Sequence, residues 1–492
     1  MELHPTIDLI AIARDAMERY GFEPEFSDAV ILEVSTIHEH AVLSHPGGAK
    51  DLRSLLWSSI DNIDSMDLDQ LEYCEAGQND ETHVKVAIAD VDLYVPRDSE
   101  TDLHAAHNGT SVYTGVETFP MLPDRLSKGI SSLLPGQDRM AVVIEYSVLP
   151  DGSFRPGEIY RALVCNKAKL VYEEIGDWLE GRIPLPPPVQ AVPGLEAQLR
   201  LQNTAARRMR KARLAQGALD LETLEAEPLM EGCTVRDLVV QRENLARNLI
   251  EEFMVAANGT MVARLGEAGI PMIQRVVRVP KYWERIVTLA AEHGFTLPSR
   301  PNAQALSRFI LRQKEADPLH FPDLSLTIVK LIGAGEYSML EPDEDPLGHF
   351  SLAVTDYTHA TAPNRRYVDV INQRLIKAVL DNGAAPYMVS ELLDLAEWLT
   401  GREKASKKVE RFMRKAAAAM LLDGRIGETF EGLVTGAAEK GTYVRLISPP
   451  AEGRVVRGER DLFVGQKVRV RLLRTDPYNG HIDFECIGRS TR

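Results

Sequence analysis

No stretch of about 18 apolar residues occurs in this 492-residue chain, so nothing in it has the length and character of a membrane-spanning helix. The opening MELHPTIDLIAIARDAMERYG lacks a basic segment followed by an uninterrupted apolar run. It does not read as a signal peptide. Cysteine is scarce, with only Cys74, Cys165, Cys233 and Cys486. No two form a CxxC pair, which argues against a zinc site or a disulfide framework and fits a reducing, cytoplasmic setting. Positive charge is in deficit: the net charge is −16. That argues against a protein that coats nucleic acid nonspecifically, yet leaves room for an enzyme with a local basic channel. No internal repeat is present.

What is there belongs to a globular protein. The apolar fraction is 44% and the charged fraction 26%, and the length allows two to four domains with a sizeable core. The cations are clustered. Arg207, Arg208, Arg210, Lys211 and Arg213 form one group. Lys404, Lys407, Lys408, Arg411, Arg414 and Lys415 form another. Each cluster alone is most simply a solvated helix face.

Residues 6–20 place Ile7, Ile10, Ala11, Ala13 and Met17 near helical spacing, with Gly21 as a stop. Residues 27–42 begin with the cap candidates Ser27 and Asp28. Two short helices and a turn are expected, in a helix-turn-helix-like arrangement. Gly47 and Gly48 open a loop. Residues 83–91 and 139–149 read as strands, and the turn Pro150-Asp151-Gly152 leads to a hairpin partner over 155–165. The excursion 110–127 is too rich in Gly and Pro for a long helix. Residues 183–194 form a stiff, extended proline-rich connector. A basic helix follows, then a periodic helix over 245–265 with Leu249, Phe253, Ala257 and Met261 on one face. Helical patterns run to about 423. From 426 short alternating strands predict a small β-barrel. Phe430, Tyr443, Phe463 and Phe484 could stack on bases, although core packing is the commoner fate of any one of them.

The stretch 58–73, S-S-I-D-N-I-D-S-M-D-L-D-Q-L-E-Y, holds Asp61, Asp64, Asp67 and Asp69 within nine positions. Carboxylates this close repel unless a cation lies among them. Hard divalent ions take oxygen ligands, often one or two carboxylates plus a substrate phosphate. The cluster alone is equally well a solvated acidic loop. A phosphatase reading of Asp67-Leu68-Asp69 is disfavoured, because that motif should end an apolar strand and S-I-D-N-I-D-S-M precedes it.

Further motifs tip the balance. They are K-A-K-L-V-Y (167–172), L-I-E-E-F-M-V-A-A-N (249–258), T-S-V-Y-T-G-V-E-T-F-P-M-L-P-D-R-L-S (110–127) and G-H-F-S-L-A-V-T-D-Y-T-H-A-T-A-P-N-R-R-Y-V-D (348–369). Together with the acidic stretch they resemble the RNB catalytic domain of the RNase II/RNase R family, in the family's order. The C-terminal strands resemble its S1-type OB-fold. The resemblance implies an α+β protein: a small helical domain over 1–46, the catalytic domain over 47–424 and the barrel over 425–492. It implies a monomeric, Mg²⁺-dependent 3′–5′ exoribonuclease, with two ions or with Mn²⁺ in substitution, releasing nucleoside 5′-monophosphates. Its partner would be single-stranded RNA with a free 3′ end.

The same resemblance assigns residues. Asp61, Asp67 and Asp69 match three of four clustered aspartates, and Gln70 stands where the fourth usually is. Arg365 matches an arginine on the scissile phosphate, with Arg366 beside it on RNA. A guanidinium suits that place because its fork binds phosphate oxygens bidentately. Tyr113 matches a tyrosine stacked on the terminal base. Tyr172 and Glu251 or Glu252 match contacts to the terminal sugar. Leu221 replaces a phenylalanine that sandwiches bases, and Ser406 falls where a glutamate is usual. An RNA-binding pseudo-nuclease, disabled by Gln70, is the rival reading. About 45 helical residues before the catalytic domain cannot encode a five-stranded barrel, so a smaller RNA-binding collar is expected. The ending G-R-S-T-R lacks a lysine-rich tail, which favours single-stranded substrates.

Overall fold

The computed structural model describes residues 7–38, 48–222, 226–232, 234–240, 243–318, 320–438 and 441–489. Residues 39–42 of the expected second helix, Gly47, Cys233 and the last three residues lie outside these. The described cysteines Cys74, Cys165 and Cys486 are unpaired. No helix among the described residues is long and apolar enough to cross a membrane.

The first helix, α1 (Leu9–Arg19), is capped by Asp8, whose carboxylate accepts from Ile10 N and Ala11 N at 3.0 Å. The cap shifts the buried stripe to Leu9, Ile12, Ala13, Ala16 and Met17, and leaves Ile10 exposed. Of the expected positions, Ala13 and Met17 are buried and Ile7 packs against the same core, while Ile10 and Ala11 face solvent. The second, α2 (Asp28–Ser35), starts as expected, with Ser27 Oγ accepting from Val30 N. It stops early because Ser35 and Thr36 donate their hydroxyls to Leu32 O and Glu33 O, competing with the backbone ladder. These two helices pack on different elements. The first lies on the last long helix, and the second on α3 (Glu100–Asn108).

A seven-stranded mixed sheet carries the centre of the molecule. Its strands are β1 (Lys50–Asp51), β2 (Ser58–Asp61), β3 (Gln70–Ala76), β4 (Thr82–Ala89), β7 (Asp138–Val148), β8 (Phe154–Cys165) and β9 (Ala168–Val171). Their order is β1-β8-β7-β4-β3-β2-β9, antiparallel except for the pairs β1 with β8 and β2 with β9. The excursion contributes only the two-residue strands β5 (Val112–Tyr113) and β6 (Thr118–Phe119) and a wide turn at Leu126–Ile130. After α4 (Tyr172–Leu179), the connector is not extended throughout, since Pro187 starts a helical turn, α5 (Pro187–Gln190).

The basic helix α6 (Leu195–Gln216) and the periodic helix α7 (Leu245–Glu267) cover the sheet. Leu249, Phe253, Ala257 and Met261 are all buried there, as their spacing requires. A hairpin, β10 (Ala226–Glu231) and β11 (Thr234–Val240), and a pair, β12 (Met272–Val276) with β13 (Glu336–Leu340), interrupt the expected run of helices. Between that pair, α8 (Trp283–Glu292), α9 (Ala303–Ala316) and α10 (Phe321–Ile332) enclose their own core around Trp283, Phe309 and Phe321. Then come α11 (Tyr367–Leu380) and the 34-residue α12 (Val389–Leu422). The first half of α12 packs on the central body. Its second half, with Val409, Met413 and Ala416, shares a core with the barrel and α1.

The barrel is closed, in the order β14 (Thr429–Ala438), β15 (Gly441–Leu446), β16 (Glu452–Arg457), β18 (His481–Arg489) and β17 (Lys467–Asp476). Phe430 and Phe484 are core, whereas Phe463 is exposed and Tyr443 partly so.

Candidate active site

The acidic stretch is the loop joining β2 to β3. Asp61 ends β2 beside Val171 of β9, and Gln70 begins β3 opposite Ile88. The loop between them is braced at several points. Ser132 Oγ accepts from Leu68 N and donates to Met66 O, and Leu133 N donates to Leu68 O. Lys169, from β9, donates its ammonium to Ile63 O at 2.9 Å and also to Ser65 O. Leu68 is buried, and this anchors Asp67 and Asp69 on either side of it. Asp64 points outward and is exposed.

Two other segments converge on this loop. The turn before α11 brings Asn364 N to Asp69 Oδ1 at 2.8 Å and Arg365 Nε to Asp69 Oδ2 at 3.0 Å. The terminal nitrogens of Arg365 have no hydrogen bond within the described chain, so its fork stays open on the exposed side. Tyr113, on β5, donates its hydroxyl to Asp67 Oδ2 at 2.8 Å. The residue is 41% exposed, which leaves an aromatic partly open to solvent beside the acidic loop.

The electrostatics are those of crowded, half-desolvated carboxylates. Burial pushes Asp61 up to about 6. The charge of Asp67 adds to this, while Arg365, Lys169 and the Gln70 amide oppose it. Burial likewise pushes Asp69 up to about 7, helped by Asp67 and opposed by Arg365 and the Asn364 N–H. Gln70 is 5% exposed, and its neutral amide lies close enough to Asp61 to hold that carboxyl's pKa down against burial.

The structure thus brings Asp61, Asp67, Asp69, Gln70, Tyr113 and Arg365 together. Tyr172 opens α4 directly after β9, close enough for Asp61 to raise its phenol after burial has done so. The other expected contacts stand apart or are otherwise engaged. Arg366 forms two 2.8 Å bonds with the buried Asp369. Glu252 is buried on α7 and held by Arg213 through bonds of 2.9 and 2.6 Å, while the more exposed Glu251 takes a third bond from the same arginine. Leu221 packs against the core of α8–α10. Ser406 is buried and donates to Glu410. One turn earlier on α12, Glu403 pairs with Arg275.

Sequence reasoning missed three supporting residues. Lys169 stood inside a quoted motif, but its role depends on β9 lying parallel to β2. Arg247 stacks 4.5 Å over the Tyr172 ring and donates to Glu173 and, at 3.4 Å, to Asn62 of the acidic loop. Its only local signal is its place in the first turn after the cap Asn244. Glu72 is fully buried, neither carboxyl oxygen has a hydrogen-bond partner, and burial raises its pKa well above the ordinary value. The alternation of Gln70 and Glu72 on one face of β3 could have shown it.

Among the described residues, no three acidic, histidine or cysteine side chains converge closely enough to enclose an ion by themselves. The donor set nonetheless fits a hard divalent cation that also takes ligands from substrate. All its groups are oxygen donors, Asp61 Oδ2 is buried with no hydrogen-bond donor, and burial opposes the ionisation of Asp61 and Asp69, which a cation among them would favour.

Comparison with known proteins decides the family. Residues 49–382 match the RNB domain, and residues 428–486 match the RNase II-type exonuclease C-terminal S1 domain. The chain belongs to the RNB family. Ribonuclease R 1 of Lactococcus lactis is 27% identical over 94% of this chain and 59% of its own length. Ribonuclease R of Thermotoga maritima is 28% identical over 98% of this chain and 71% of its own. The chain therefore spans about three fifths of the first relative. Mycoplasma genitalium RNase R in complex with ribose-methylated single-stranded RNA superposes with a TM-score of 0.88, at 24% identity, over 98% of this chain and 78% of that one. That likeness covers the fold of nearly the whole chain, the terminal barrel included.

Proposed function

We propose that the chain is a metal-dependent 3′–5′ exoribonuclease that hydrolyses single-stranded RNA to nucleoside 5′-monophosphates. The observation that carries this reading is the convergence on one loop: Arg365 on Asp69, and Tyr113 on Asp67. In this reading residues 1–46 form a small helical domain, whose α1 and α2 pack on the rest, residues 47–424 the catalytic domain and 425–492 an RNA-binding barrel. The protein works as a cytoplasmic monomer on RNA with a free 3′ end.

The side chains divide the task. The exposed Tyr113 ring stacks on the terminal base while its hydroxyl is fixed by Asp67, so the ring is oriented before substrate arrives. Arg365 is tied through Nε and offers its remaining fork to the scissile phosphate, where it stabilises charge developing on the phosphoryl oxygens. Tyr172, steadied by Arg247, borders the terminal sugar, as does Glu251 on α7. Asp61, Asp67 and Asp69, with Gln70 beside them, would hold Mg²⁺ or Mn²⁺, which supplies Lewis-acid polarisation of the phosphate and a more acidic water. No protein nucleophile is required.

The test is one assay: 5′-labelled single-stranded RNA, the DNA of the same sequence and a hairpin with a 3′ tail, each with Mg²⁺, Mn²⁺ or EDTA. Stepwise shortening of RNA alone, with mononucleotide release that EDTA stops, supports the reading. The buried Gln70 amide at the place of an expected carboxylate favours one rival, an RNA-binding pseudo-nuclease. RNA bound but never shortened, with either metal, would select that rival.

A further inference from the structure

A cavity of about 630 Å³ lies between α6, the first turn of α7 and α9. Its rim carries Arg207, Arg210 and Lys211 from α6 and Arg308 from α9. The surrounding cations show which of these are committed. Arg208 pairs with Asp80, Arg210 with Asp220, and Arg213 with Glu251 and Glu252. Arg207, Lys211 and Arg308 form no ion pair among the described residues, and all three face the cavity. Arg207 and Lys211 are one helical turn apart, a like-charge spacing that disfavours the empty site. In a chain of net charge −16, three cations with no ion pair among the described residues, around one hollow, mark an anion site better than a solvated face.

The rest of the lining narrows the ligand. Leu214, Leu245 and Leu311 give an apolar wall, and Asn248 supplies an amide whose Oδ1 is buried without a hydrogen-bond partner. Cations beside an apolar wall and an amide oxygen without a partner suit a phosphate joined to a sugar and base. The volume suits one nucleotide. The position suits the reaction as well. Arg247, the neighbour of Asn248, reaches Asn62 of the acidic loop, and Arg210 on the cavity rim also pairs with Glu251.

We propose that this cavity binds the released nucleoside 5′-monophosphate, giving product a place to leave the acidic loop before the next phosphodiester enters. The inference rests on the nuclease reading above and adds a second phosphate site to it. The direct test is calorimetric titration of the full chain with AMP, adenosine and inorganic phosphate, repeated on the combined variant Arg207→Ala, Lys211→Ala, Arg308→Ala. These positions are exposed, and unchanged thermal melting confirms the fold. AMP should bind at least about tenfold more tightly than adenosine, and the variant should lose at least about tenfold in AMP affinity. Its affinity for a single-stranded RNA, measured in an Asp69→Asn background, should stay within about twofold. The proposal is overturned if AMP and adenosine bind alike, if the variant binds AMP as before, or if it loses RNA and keeps AMP. Binding needs no turnover, so the two readings fail separately. A nuclease without AMP here sinks only the cavity, whereas AMP bound here without any nuclease activity sinks the nuclease and the product role, and leaves a nucleotide-binding cavity.

Discussion

Replacing Asp61 by Asn should stabilise the metal-free protein at alkaline pH. Asp61 ionises near 3.8 in an unfolded chain and at about 6 in the folded one, chiefly because it is buried. The folded pKa is the higher, so protonated Asp61 favours the native state below pH 3.8, and that stability is lost as the pH climbs through 6. Each tenfold change in proton affinity is worth about 1.4 kcal/mol, so the whole loss is on the order of 3 kcal/mol. Roughly half of it has occurred by pH 5 and nearly all by pH 8. The value is already net of the attraction from Arg365 and Lys169. Asn is isosteric, carries no charge and keeps an acceptor for the Gln70 amide. In EDTA, Asp61→Asn should therefore melt a few degrees above the parent at pH 8 and with a smaller margin at pH 5. Saturating Mg²⁺ should narrow or reverse the gap, because ligand binding to the native state stabilises the parent more. An Asp61→Asn protein that melts no higher than the parent at pH 8 without metal refutes the argument that this carboxylate is held in an uncompensated state.

Other consequences can be measured independently. Asp69→Asn keeps an acceptor for Asn364 N but weakens the tie to Arg365, and mononucleotide release should fall at least about a hundredfold while RNA binding persists. Tyr113→Ala should weaken the grip on the 3′-terminal nucleotide by about 1–3 kcal/mol, read as affinity for short oligonucleotides, with Tyr113→Phe retaining most of it. Glu403→Gln leaves the Arg275 guanidinium, 8% exposed, without its charge partner. Chemical denaturation should show a loss of about 3 kcal/mol.

Much of this fold is legible because its signals are local. The strands β4, β7 and β8 alternate, and Pro150-Asp151-Gly152 marks the turn between two of them. The helix α7 repeats its apolar residues every four positions. What was illegible depends on partners distant in sequence. The strands β12 and β13 are five residues each and pair across three intervening helices, so no hairpin turn announces them. The same division runs through the site. Four aspartates in nine positions are conspicuous, but Ser132 and Lys169, which hold their loop in shape, become neighbours only when the sheet forms. The assignments at Leu221 and Arg366 came from resemblance, and the structure turns the first into a neighbouring core and the second onto Asp369.

Gln70 stands inside the acidic cluster itself. It is almost fully buried and adjoins Asp61, in a cluster where burial and Asp67 already oppose ionisation of two carboxylates. A fourth carboxylate here would lack a cationic partner from the chain, since Arg365 and Lys169 are already shared among the other three. The amide therefore lowers the repulsion in the metal-free state, at the expense of one charged ligand for a divalent ion. Gln70→Asp should reverse both effects. The variant should lose on the order of 1–3 kcal/mol at pH 8 in EDTA, and should reach half-maximal RNA shortening at a lower Mg²⁺ concentration. If the Mg²⁺ requirement of Gln70→Asp equals or exceeds that of the parent, Gln70 is not beside the ion. The cluster would then have to bind metal through Asp61, Asp67 and Asp69 alone.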